Sequence, residues 1–594
     1  MIEALNYPFD SSYLLKKKKS LRRQLLADGV PKLKKKIAVL GGSTTHDIIQ
    51  MLELFLLNQG IEPDFYESEF NKYWEDAMFS NPVLEEMKPD LIYIHTTSKN
   101  IQNFPDVNLD KKRVTESIDE EYYRFEQMWT KLRERFACPV IQNNFELPSY
   151  RLFGNSDGVD CHGKVYFVEH LNQKFQEYAE THSWFYINDI CWISANYGLK
   201  EWSDPYYWHM YKYSPALPAI PDLAFNLSNI VKSIYGKNKK ALVLDLDNTL
   251  WGGVIGDDGP ENIEIGEETS MGQVYAEFQS YIKQLKEMGI LLAIDSKNTE
   301  ETALKGLKRP DSVLSPDDFL VKKINWMPKD RNLTEIADEI NIGRDSLVFV
   351  DDNPAERHII RMNVPETAVP EIGKPEQYIS VLDRSGFFEV TAFTGDDLAR
   401  NEMYKANLQR KQQRASFSDY NEYLTSLEME AEIGAFDPMY FTRIAQLTNK
   451  SNQFNLTTKR CSVSDIENIS ADSDYITLYL RLKDRFGDNG VVSIMFGHKQ
   501  DDQFHIDLWL MSCRVLKRDV ENAMMDALVE QCRKNNIKEI IGYYYPTAKN
   551  GMVKEFYGTL GFTLTSSDDE GSTVWTYDHI ESYENKNKVI KVGN

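Results

Sequence analysis

The sequence predicts an α/β protein with three domains in series. Its 594 residues exceed the roughly 250–300 residues at which a single hydrophobic core stops growing. In the N-terminal and central parts of the chain, apolar strand-like runs alternate with helical runs, an order typical of parallel sheets covered by helices. In the C-terminal part, several strand-like runs follow one another before a helix, which favours an α+β domain.

The first predicted domain covers residues 1–225. Its predicted elements are a strand ending in a Gly-rich turn at 36–45, a helix at 47–57, a strand at 89–95, a helix at 119–136 and a strand at 139–143. The proline-rich piece at 214–221 is a natural boundary, because prolines interrupt both helices and strands.

The second predicted domain covers residues 226–390, and a charged helical linker at 391–415 separates it from a third domain at 416–594. The second domain has strand-like runs at 241–244, 290–294 and 346–350, each followed by polar residues. The third has strand-like runs at 474–481, 490–496, 504–512 and 537–543, with a helix at 518–535 before the last of them.

Composition excludes several classes of protein. The formal net charge of −23 argues against nucleic acid as the main partner, because a polyanion would be repelled. No apolar stretch approaches the ~18 residues of a membrane span, and the first residues lack the order of a signal peptide. We therefore expect no membrane span and a cytoplasmic location, with six reduced cysteines: Cys138, Cys161, Cys191, Cys461, Cys513 and Cys532.

One segment, residues 16–36, departs from the acidic balance. It holds ten lysines and arginines and a single acid, Asp28. A solvated face before the first strand is the interpretation we favour. The alternative is a docking patch for an acidic partner.

Two carboxylates at the end of the strand-like run at 241–244 are the strongest chemical signal. Asp245 and Asp247 are two residues apart, so in an extended chain both point to the same face, and Thr249 follows them. Crowded carboxylates repel each other unless a cation lies between them or one is protonated. This pattern predicts a Mg²⁺-dependent phosphoryl-transfer site, in which one aspartate attacks phosphorus and the other moves a proton.

Three further polar clusters belong to the same predicted domain. Ser296 follows the second strand and is suited to hold phosphate oxygens. Lys329 would neutralise the transferred group, and Asp351 with Asp352 would complete an oxygen-ligand site for a hard cation. In open α/β sheets such groups converge beyond the carboxyl ends of the strands.

In this order the clusters resemble the haloacid dehalogenase (HAD) superfamily, whose motifs are DxDxT, Ser/Thr, Lys and DD. The resemblance implies that Asp245 is the nucleophile and Asp247 the general acid/base, and that Mg²⁺ is bound by Asp245, the Asp247 carbonyl and Asp351, with Asp352 close by. The implied catalytic set is Asp245, Asp247, Thr249, Ser296 and Lys329.

The intervals between these motifs are too short for a large cap domain. Residues 251–259 can form only a small flap over the site. An open site suits a reacting group carried on a macromolecule, whereas a small metabolite is more often enclosed.

The whole chain resembles the FkbH-like proteins (HAD subfamily IIIC) in the sequence in which its domains follow one another. It also shares four motifs with them: DDNPAER at 351–357, TNKSNQFNLT at 448–457, DRFGDNG at 484–490 and MSCRVL at 511–516. The resemblance implies a flavodoxin- or SGNH-hydrolase-like parallel sheet, a capless HAD Rossmann-like core and a GNAT-like α+β domain. Members of the family load a three-carbon acyl group, made from 1,3-bisphosphoglycerate, onto the phosphopantetheine thiol of an acyl carrier protein and release phosphate.

Three departures from the family pattern bear on this expectation. Asp295 stands where the family usually has a cysteine that is a candidate for a thioester intermediate. In the third domain, residues 514–519 lack the glycines of the GNAT pyrophosphate loop, and side chains there would obstruct a phosphate. Its implied pantetheine or coenzyme A site consists of Arg514, Asn550 and Tyr557.

The third departure concerns the first domain. Ser43 is at the nucleophile position of an SGNH hydrolase, and Asp204 with His209 are the candidates for its partners. Their spacing differs from the usual Asp-x-x-His. We therefore expect a structural rather than a catalytic N-terminal domain.

Three hypotheses of function follow. The leading one is an enzyme that acts on a phosphorylated three-carbon acid and loads the acyl group onto a carrier protein. The second is a HAD phosphatase without acyl transfer, which Asp295 favours. The third is a non-catalytic factor that binds a carrier protein, although the intact aspartate set has little purpose in a scaffold.

Overall fold

The computed structural model describes residues 2–547 and 549–593, and the chain divides into two compact units. Unit 1 runs to Tyr235 and includes the short segments Glu389–Thr391 and Ser462–Asp465; unit 2 is the rest of the chain. In the described ranges, no helix combines the length and the apolar character needed to cross a bilayer.

Unit 1 is built on a five-stranded parallel sheet in the order β2-β1-β3-β4-β5. Its strands are β1 (Leu33–Gly41), β2 (Ile61–Glu67), β3 (Leu91–His95), β4 (Val140–Asn143) and β5 (Phe185–Asn188). The helices are α1 (Ser11–Ala27), α2 (His46–Asn58), α3 (Tyr73–Met78), α4 (Pro82–Met87), α5 (Lys111–Phe136), α6 (Lys164–Thr181), α7 (Ile190–Tyr197), α8 (Leu199–Trp202), α9 (Pro205–Tyr211) and α10 (Ile220–Ile234).

The basic segment at 16–36 lies mainly on α1. Leu14, Leu21 and Leu25 of this helix are buried, whereas Lys18 pairs with Asp47 and Arg22 with Glu53 on α2. The apolar stripe therefore fixes α1 to the unit, and part of its charge is matched within the unit.

The predicted boundary at 225 falls inside α10. This helix carries apolar residues that belong to the core of unit 1, including Leu227, Ile230 and Val231. The first unit therefore continues to Tyr235.

The central part of unit 2 is a four-stranded parallel sheet, called the catalytic sheet below, in the order β8-β7-β6-β9. Its strands are β6 (Ala241–Leu244), β7 (Leu291–Ser296), β8 (Val321–Ile324) and β9 (Leu347–Val350). The helices of this part are α11 (Ile255–Asp258), α12 (Ser270–Glu287), α13 (Glu300–Leu307), α14 (Lys329–Ile340), α15 (Pro354–Asn363) and α16 (Tyr378–Arg384).

The predicted linker is helical, but it is packed rather than extended. Its helices are α17 (Gly395–Leu398) and α18 (Arg400–Arg414). On α18, Asn401 donates to the carbonyl of Lys286 at 2.7 Å, and Tyr404 joins the core beneath the catalytic sheet. Farther along, Arg410 pairs with Asp484 at 2.7 Å.

The C-terminal part of unit 2 contains an eight-stranded sheet, called the C-terminal sheet below, in the order β15-β16-β14-β13-β12-β11-β10-β17. Its strands are β10 (Glu430–Gly434), β11 (Tyr475–Asp484), β12 (Gly487–Gln500), β13 (Gln503–Met511), β14 (Glu539–Tyr544), β15 (Thr563–Ser567), β16 (Thr573–Tyr577) and β17 (Lys591–Gly593). The helices of this region are α19 (Tyr420–Ser426), α20 (Phe441–Lys450), α21 (Val463–Ala471), α22 (Val520–Lys534) and α23 (Phe556–Leu560).

Most neighbours in the C-terminal sheet are antiparallel, but β10 and β17 are parallel, and so are β13 and β14. They pair only from Gln503 with Glu539 to Ile506 with Gly542, and beyond that point they diverge. An α+β domain of this kind agrees with the predicted fold class.

A buried ion triad ties α18 to the C-terminal sheet. The Asp484 carboxylate, fully buried, contacts Arg410 at 2.7 Å and Arg518 at 3.3 Å. Removing one partner of a buried charge network leaves the others unpaired, which typically costs about 3–5 kcal/mol. We expect Asp484→Asn to lower the urea midpoint of unit 2 by a corresponding amount.

The matched control is Lys405→Gln on α18, the helix that carries Arg410. The Lys405–Glu402 pair is exposed, and such pairs contribute at most about 1 kcal/mol. Equal urea midpoints for Asp484→Asn and Lys405→Gln would contradict a structural role for the triad.

Candidate active site

The catalytic sheet brings the predicted site residues to one edge. In its register Ala241 lies beside both Leu291 and Leu347, so β6, β7 and β9 end side by side. Asp245 and Asp351 directly follow β6 and β9, and Ser296 ends β7. Parallel strands place their carboxyl ends at the same edge of a sheet, which explains why these side chains converge.

The Lys329 ammonium lies between two of the aspartates. It contacts Asp245 Oδ2 at 3.0 Å and Asp351 Oδ2 at 2.6 Å, and all three side chains are buried or nearly so. Burial alone would lower the pKa of Lys329, but the two carboxylates raise it above its usual range. Burial and the neighbouring Asp245 raise the pKa of Asp351 to about 6 despite Lys329.

Asp245, Asp351 and Asp352 form a candidate cation site. Each offers a carboxylate oxygen, and these oxygens lie within 4.8 Å of one another. Hard oxygen donors at this density suit Mg²⁺. The donor set therefore fits the ion that the sequence predicts.

The loop carrying Asp351 and Asp352 is held by two neighbours. Thr249, fully buried, accepts a hydrogen bond from the Asp352 amide at 3.3 Å. Arg357 donates to the carbonyls of Asp351 and Asp352 at 2.8 and 2.7 Å. Thr249 thus supports the acidic loop, and Arg357 adds a positioning contact that we did not predict, although it belongs to the DDNPAER motif.

The Asp247 carboxylate is oriented by three donors. Trp251 Nε1 and the Ile255 amide donate to Oδ1 at 2.9 and 3.1 Å. Asn298 Nδ2 donates to Oδ2 at 2.9 Å. Asp247 is therefore fixed beside the flap, at the same edge as Asp245, in a position suited to proton transfer.

Ser296 is buried at the end of β7, and Asn298 also approaches its hydroxyl at 3.3 Å. The preceding Asp295 is fully buried and accepts from Asn332 Nδ2 at 3.0 Å. Burial raises the pKa of Asp295 well above its usual range. Asp295 is thus packed towards α14, in surroundings that disfavour its charged form.

The insertions around the site are small. Between Asp247 and β7 the chain forms the short helix α11, a bridge between Gly252 and Glu264, and α12. Between β7 and Lys329 it forms only α13 and β8, apart from short turns. As far as the structure describes the chain, no cap domain covers the catalytic edge.

Comparisons with known proteins bear on this arrangement. The family model described as the FkbH N-terminal domain matches residues 36–232. The solved N-terminal part of the protein BF1531 from Bacteroides fragilis, which contains a phosphatase domain complexed with Mg, shares 31% sequence identity. That alignment covers 63% of this chain and 99% of the other, with a TM-score of 0.59.

The chain belongs to the FkbH-like proteins of the HAD superfamily. No curated protein matches it. The ribosomal-protein-S18-alanine N-acetyltransferase from Escherichia coli aligns over 25% of this FkbH-like chain and 92% of its own, with 10% identity and a TM-score of 0.20. Ard1 from Thermoplasma volcanium aligns over 25% and 94%, with 19% identity and a TM-score of 0.20.

In unit 1 of this FkbH-like protein, the three candidate hydrolase residues have other contacts. Ser43 is buried, and its hydroxyl donates to the Ser214 carbonyl at 3.3 Å. Asp204 accepts from the Tyr206 amide at 2.7 Å and caps α9, and His209 is exposed on that helix. Asp204 therefore does not orient His209, which favours the structural interpretation.

A histidine that we did not predict lies near Ser43. His95 Nε2 donates to the same Ser214 carbonyl at 2.7 Å, while Nδ1 faces Tyr93 and Asn143. Burial lowers the pKa of His95 to about 4. Because both ring nitrogens are engaged with other groups, His95 belongs to a buried polar network.

The three residues predicted to bind pantetheine or coenzyme A lie in different surroundings. Asn550 and Tyr557 are fully buried, and Asn550 donates to the carbonyls of Asn455 and Tyr545 at 3.0 and 2.9 Å. Arg514 is half-buried and donates to the Asn489 carbonyl at 3.2 Å. Asn550 and Tyr557 are thus part of the packed interior.

The chain itself occupies the gap where β13 and β14 diverge. Asn455 bridges to Leu510 of β13, with the amide of Leu456 donating to Trp509 and that of Met511 to Phe454. On the other side, the Tyr545 amide donates to the Leu456 carbonyl at 2.9 Å. Residues 454–456 therefore use the free backbone groups of both strands, which an extended ligand would need.

We expect Asn298→Ala to reduce kcat by about tenfold, because it removes a donor that orients Asp247, and small errors in position reduce rates strongly. KM should change much less. Hydrolysis of p-nitrophenyl phosphate measures both constants.

The control variant is Asn262→Ala, since the Asn262 side chain donates to the carbonyl of the exposed Asp258, away from Asp247. An unchanged kcat for Asn298→Ala would contradict the role assigned to this contact.

Proposed function

We propose that this FkbH-like protein is a Mg²⁺-dependent enzyme that forms a glyceryl-type acyl thioester on an acyl carrier protein and releases phosphate. The observation that supports it is the convergence of Asp245, Asp351 and Asp352 around Lys329, with Asp247 fixed at the same edge.

The chain's own residues divide the phosphoryl chemistry between them. Asp245 attacks the phosphorus of the ester phosphate, so that an aspartyl–phosphorus bond forms and the bond from that phosphorus to the substrate's alkoxy oxygen breaks, while the acyl phosphate is left for the thiol. Asp247 gives a proton to the departing oxygen and then takes one from the water that releases phosphate. Ser296 and Lys329 hold the oxygens of the transferred group.

Asp245, Asp351, Asp352 and the Asp247 carbonyl would hold Mg²⁺. When bound, the ion offsets the negative charge that builds up on the phosphoryl oxygens.

The acyl step uses a thiol that is not part of this chain. The carrier thiolate attacks the acyl carbon of 1,3-bisphosphoglycerate, the carbon–sulfur bond forms, and the bond from that carbon to the phosphate oxygen breaks. Asp295, which stands at the position of the family's cysteine, is buried and has no sulfur. We therefore infer direct transfer to the carrier, with no enzyme thioester at this position.

The uncapped edge supports a substrate presented on a large partner. A phosphopantetheine arm can enter an open cleft while its protein stays outside.

We expect a carrier protein incubated with the enzyme, Mg²⁺ and 1,3-bisphosphoglycerate to gain the mass of the acyl group, measured by intact-protein mass spectrometry. Asp245→Asn should abolish hydrolysis of the ester phosphate, because its amide is a poor nucleophile. The matched control is Asp257→Asn in the exposed flap.

The alternatives give different results. Phosphate release that is indifferent to the carrier, with no mass gain, would leave a phosphatase without acyl transfer. Full biological activity of Asp245→Asn would instead indicate a carrier-binding assembly factor.

A separate prediction concerns the ion. We expect Mg²⁺ to bind the wild-type protein in a calorimetric titration, and Asp351→Asn to weaken this binding at least about tenfold, because one anionic ligand becomes neutral. Asp257→Asn should bind as wild type does. Equal affinities for the Asp351 variant and the wild type would contradict the assigned ligand set.

A further inference from the structure

A second cavity lies within unit 2, away from the catalytic edge. It has a volume of about 470 Å³ and is lined by residues of the catalytic sheet region, α18, α20 and the end of β13. Lys240 and Ser346 on its wall directly precede β6 and β9. The cavity therefore meets the amino-terminal edge of the catalytic sheet, whereas Asp245 and Asp351 follow the carboxyl ends of the same strands.

The wall of this cavity carries an excess of positive charge. Of the described residues that line it, seven are lysine or arginine and four are aspartate or glutamate. Three of those acids are engaged with basic side chains of the same wall: Asp396 with Arg443 at 2.6 Å, Asp345 with Lys549 at 2.5 Å and Glu366 with Arg344 at 3.9 Å. The remaining acid, Asp338, does not balance the other four cations of the wall.

Lys240 and Lys450 are only weakly compensated by acids. Lys240 Nζ donates to the Lys450 carbonyl at 3.4 Å. Lys450 Nζ is 3.8 Å from Asp397, a carboxylate that Arg400 contacts more closely. Burial and the charge of Arg400 lower the pKa of Lys450 to about 7. An anion bound between the ammonium groups of Lys240 and Lys450 would offset the repulsion between these cations.

Arg514 contributes a third cationic group at the end of β13. A guanidinium matches two phosphate oxygens at once, and ammonium groups supply further charge. The rest of the wall includes apolar side chains, among them Leu447, Phe454 and Met511. Its size and mixed lining are those of a site for a small organic ligand.

We propose that this cavity binds a small phosphorylated molecule, with the phosphate against Lys240, Lys450 and Arg514 and the organic part against the apolar wall. This site is separate from the phosphoryl-transfer site and does not depend on the proposed function. Arg514, the one residue of the predicted coenzyme site that lines this cavity, would bind phosphate here.

Cys513 on the cavity wall provides a local readout. Its alkylation by iodoacetamide can be followed by peptide mass spectrometry, with the partly exposed Cys161 and Cys191 of unit 1 as internal references. The probes are inorganic phosphate, 3-phosphoglycerate and phosphopantetheine, tested without Mg²⁺ against sodium chloride of equal ionic strength. Calorimetric titration of the same probes gives their affinities.

We expect the probes to slow alkylation of Cys513 but not of Cys161 or Cys191. The double variant Lys240→Gln, Lys450→Gln should lose affinity by at least about tenfold, since hydrogen bonds to charged groups are strong. Lys534→Gln on the exposed face of α22 is the matched control. If 3-phosphoglycerate or phosphopantetheine protects Cys513 from alkylation more strongly than inorganic phosphate does, that probe indicates the chemical class of the organic part of the ligand.

Alkylation of Cys513 that is unaffected by all three probes, together with no calorimetric binding outside the catalytic site, would overturn the proposal. Protection that persists undiminished in the double variant would overturn it as well. Both outcomes leave phosphate release and carrier loading untouched, so they are distinct from a failure of the proposed function.

Discussion

The Lys329 ammonium between Asp245 and Asp351 is the interaction on which the catalytic edge depends. Parallel strands deliver their following residues to one place, and here they deliver carboxylates. Without a cation among them these groups would repel each other or become protonated. A buried lysine at the start of α14 therefore permits the acidic cluster that phosphoryl chemistry requires.

The surrounding contacts hold the acidic side chains of this edge in different positions. Arg357 and Thr249 fix the loop of Asp351 and Asp352, while Trp251, Ile255 and Asn298 hold Asp247 apart from them. This arrangement suits the proposed division of roles, in which Asp245 acts on phosphorus and Asp247 transfers protons, although the two residues are almost adjacent in sequence. The flap carrying Trp251 is thus part of the site's structure as well as its cover.

Much of the fold, and the convergence of the candidate site residues, could be predicted from sequence, because strands of a parallel sheet read as short apolar runs and the motifs follow their ends. The predicted strands at 290–294 and 346–350 correspond closely to β7 and β9. The end of unit 1 could not be placed from the sequence. The apolar face of α10 shows that the helix is packed, but not which core it packs against. Likewise, the insertion of residues 454–456 between β13 and β14 depends on contacts between segments far apart in sequence.

The most direct test of the account is chemical trapping of the phosphorylated enzyme. The enzyme is quenched during turnover of a phosphate ester and treated with borohydride, which reduces an aspartyl phosphate to homoserine, and its peptides are mapped by mass spectrometry. A nucleophilic Asp245 predicts homoserine at position 245 in the wild type, dependent on substrate and absent from Asp245→Asn. Trapping at another residue, or turnover with no trapped aspartate under conditions that trap a known aspartyl-phosphate enzyme, would contradict it.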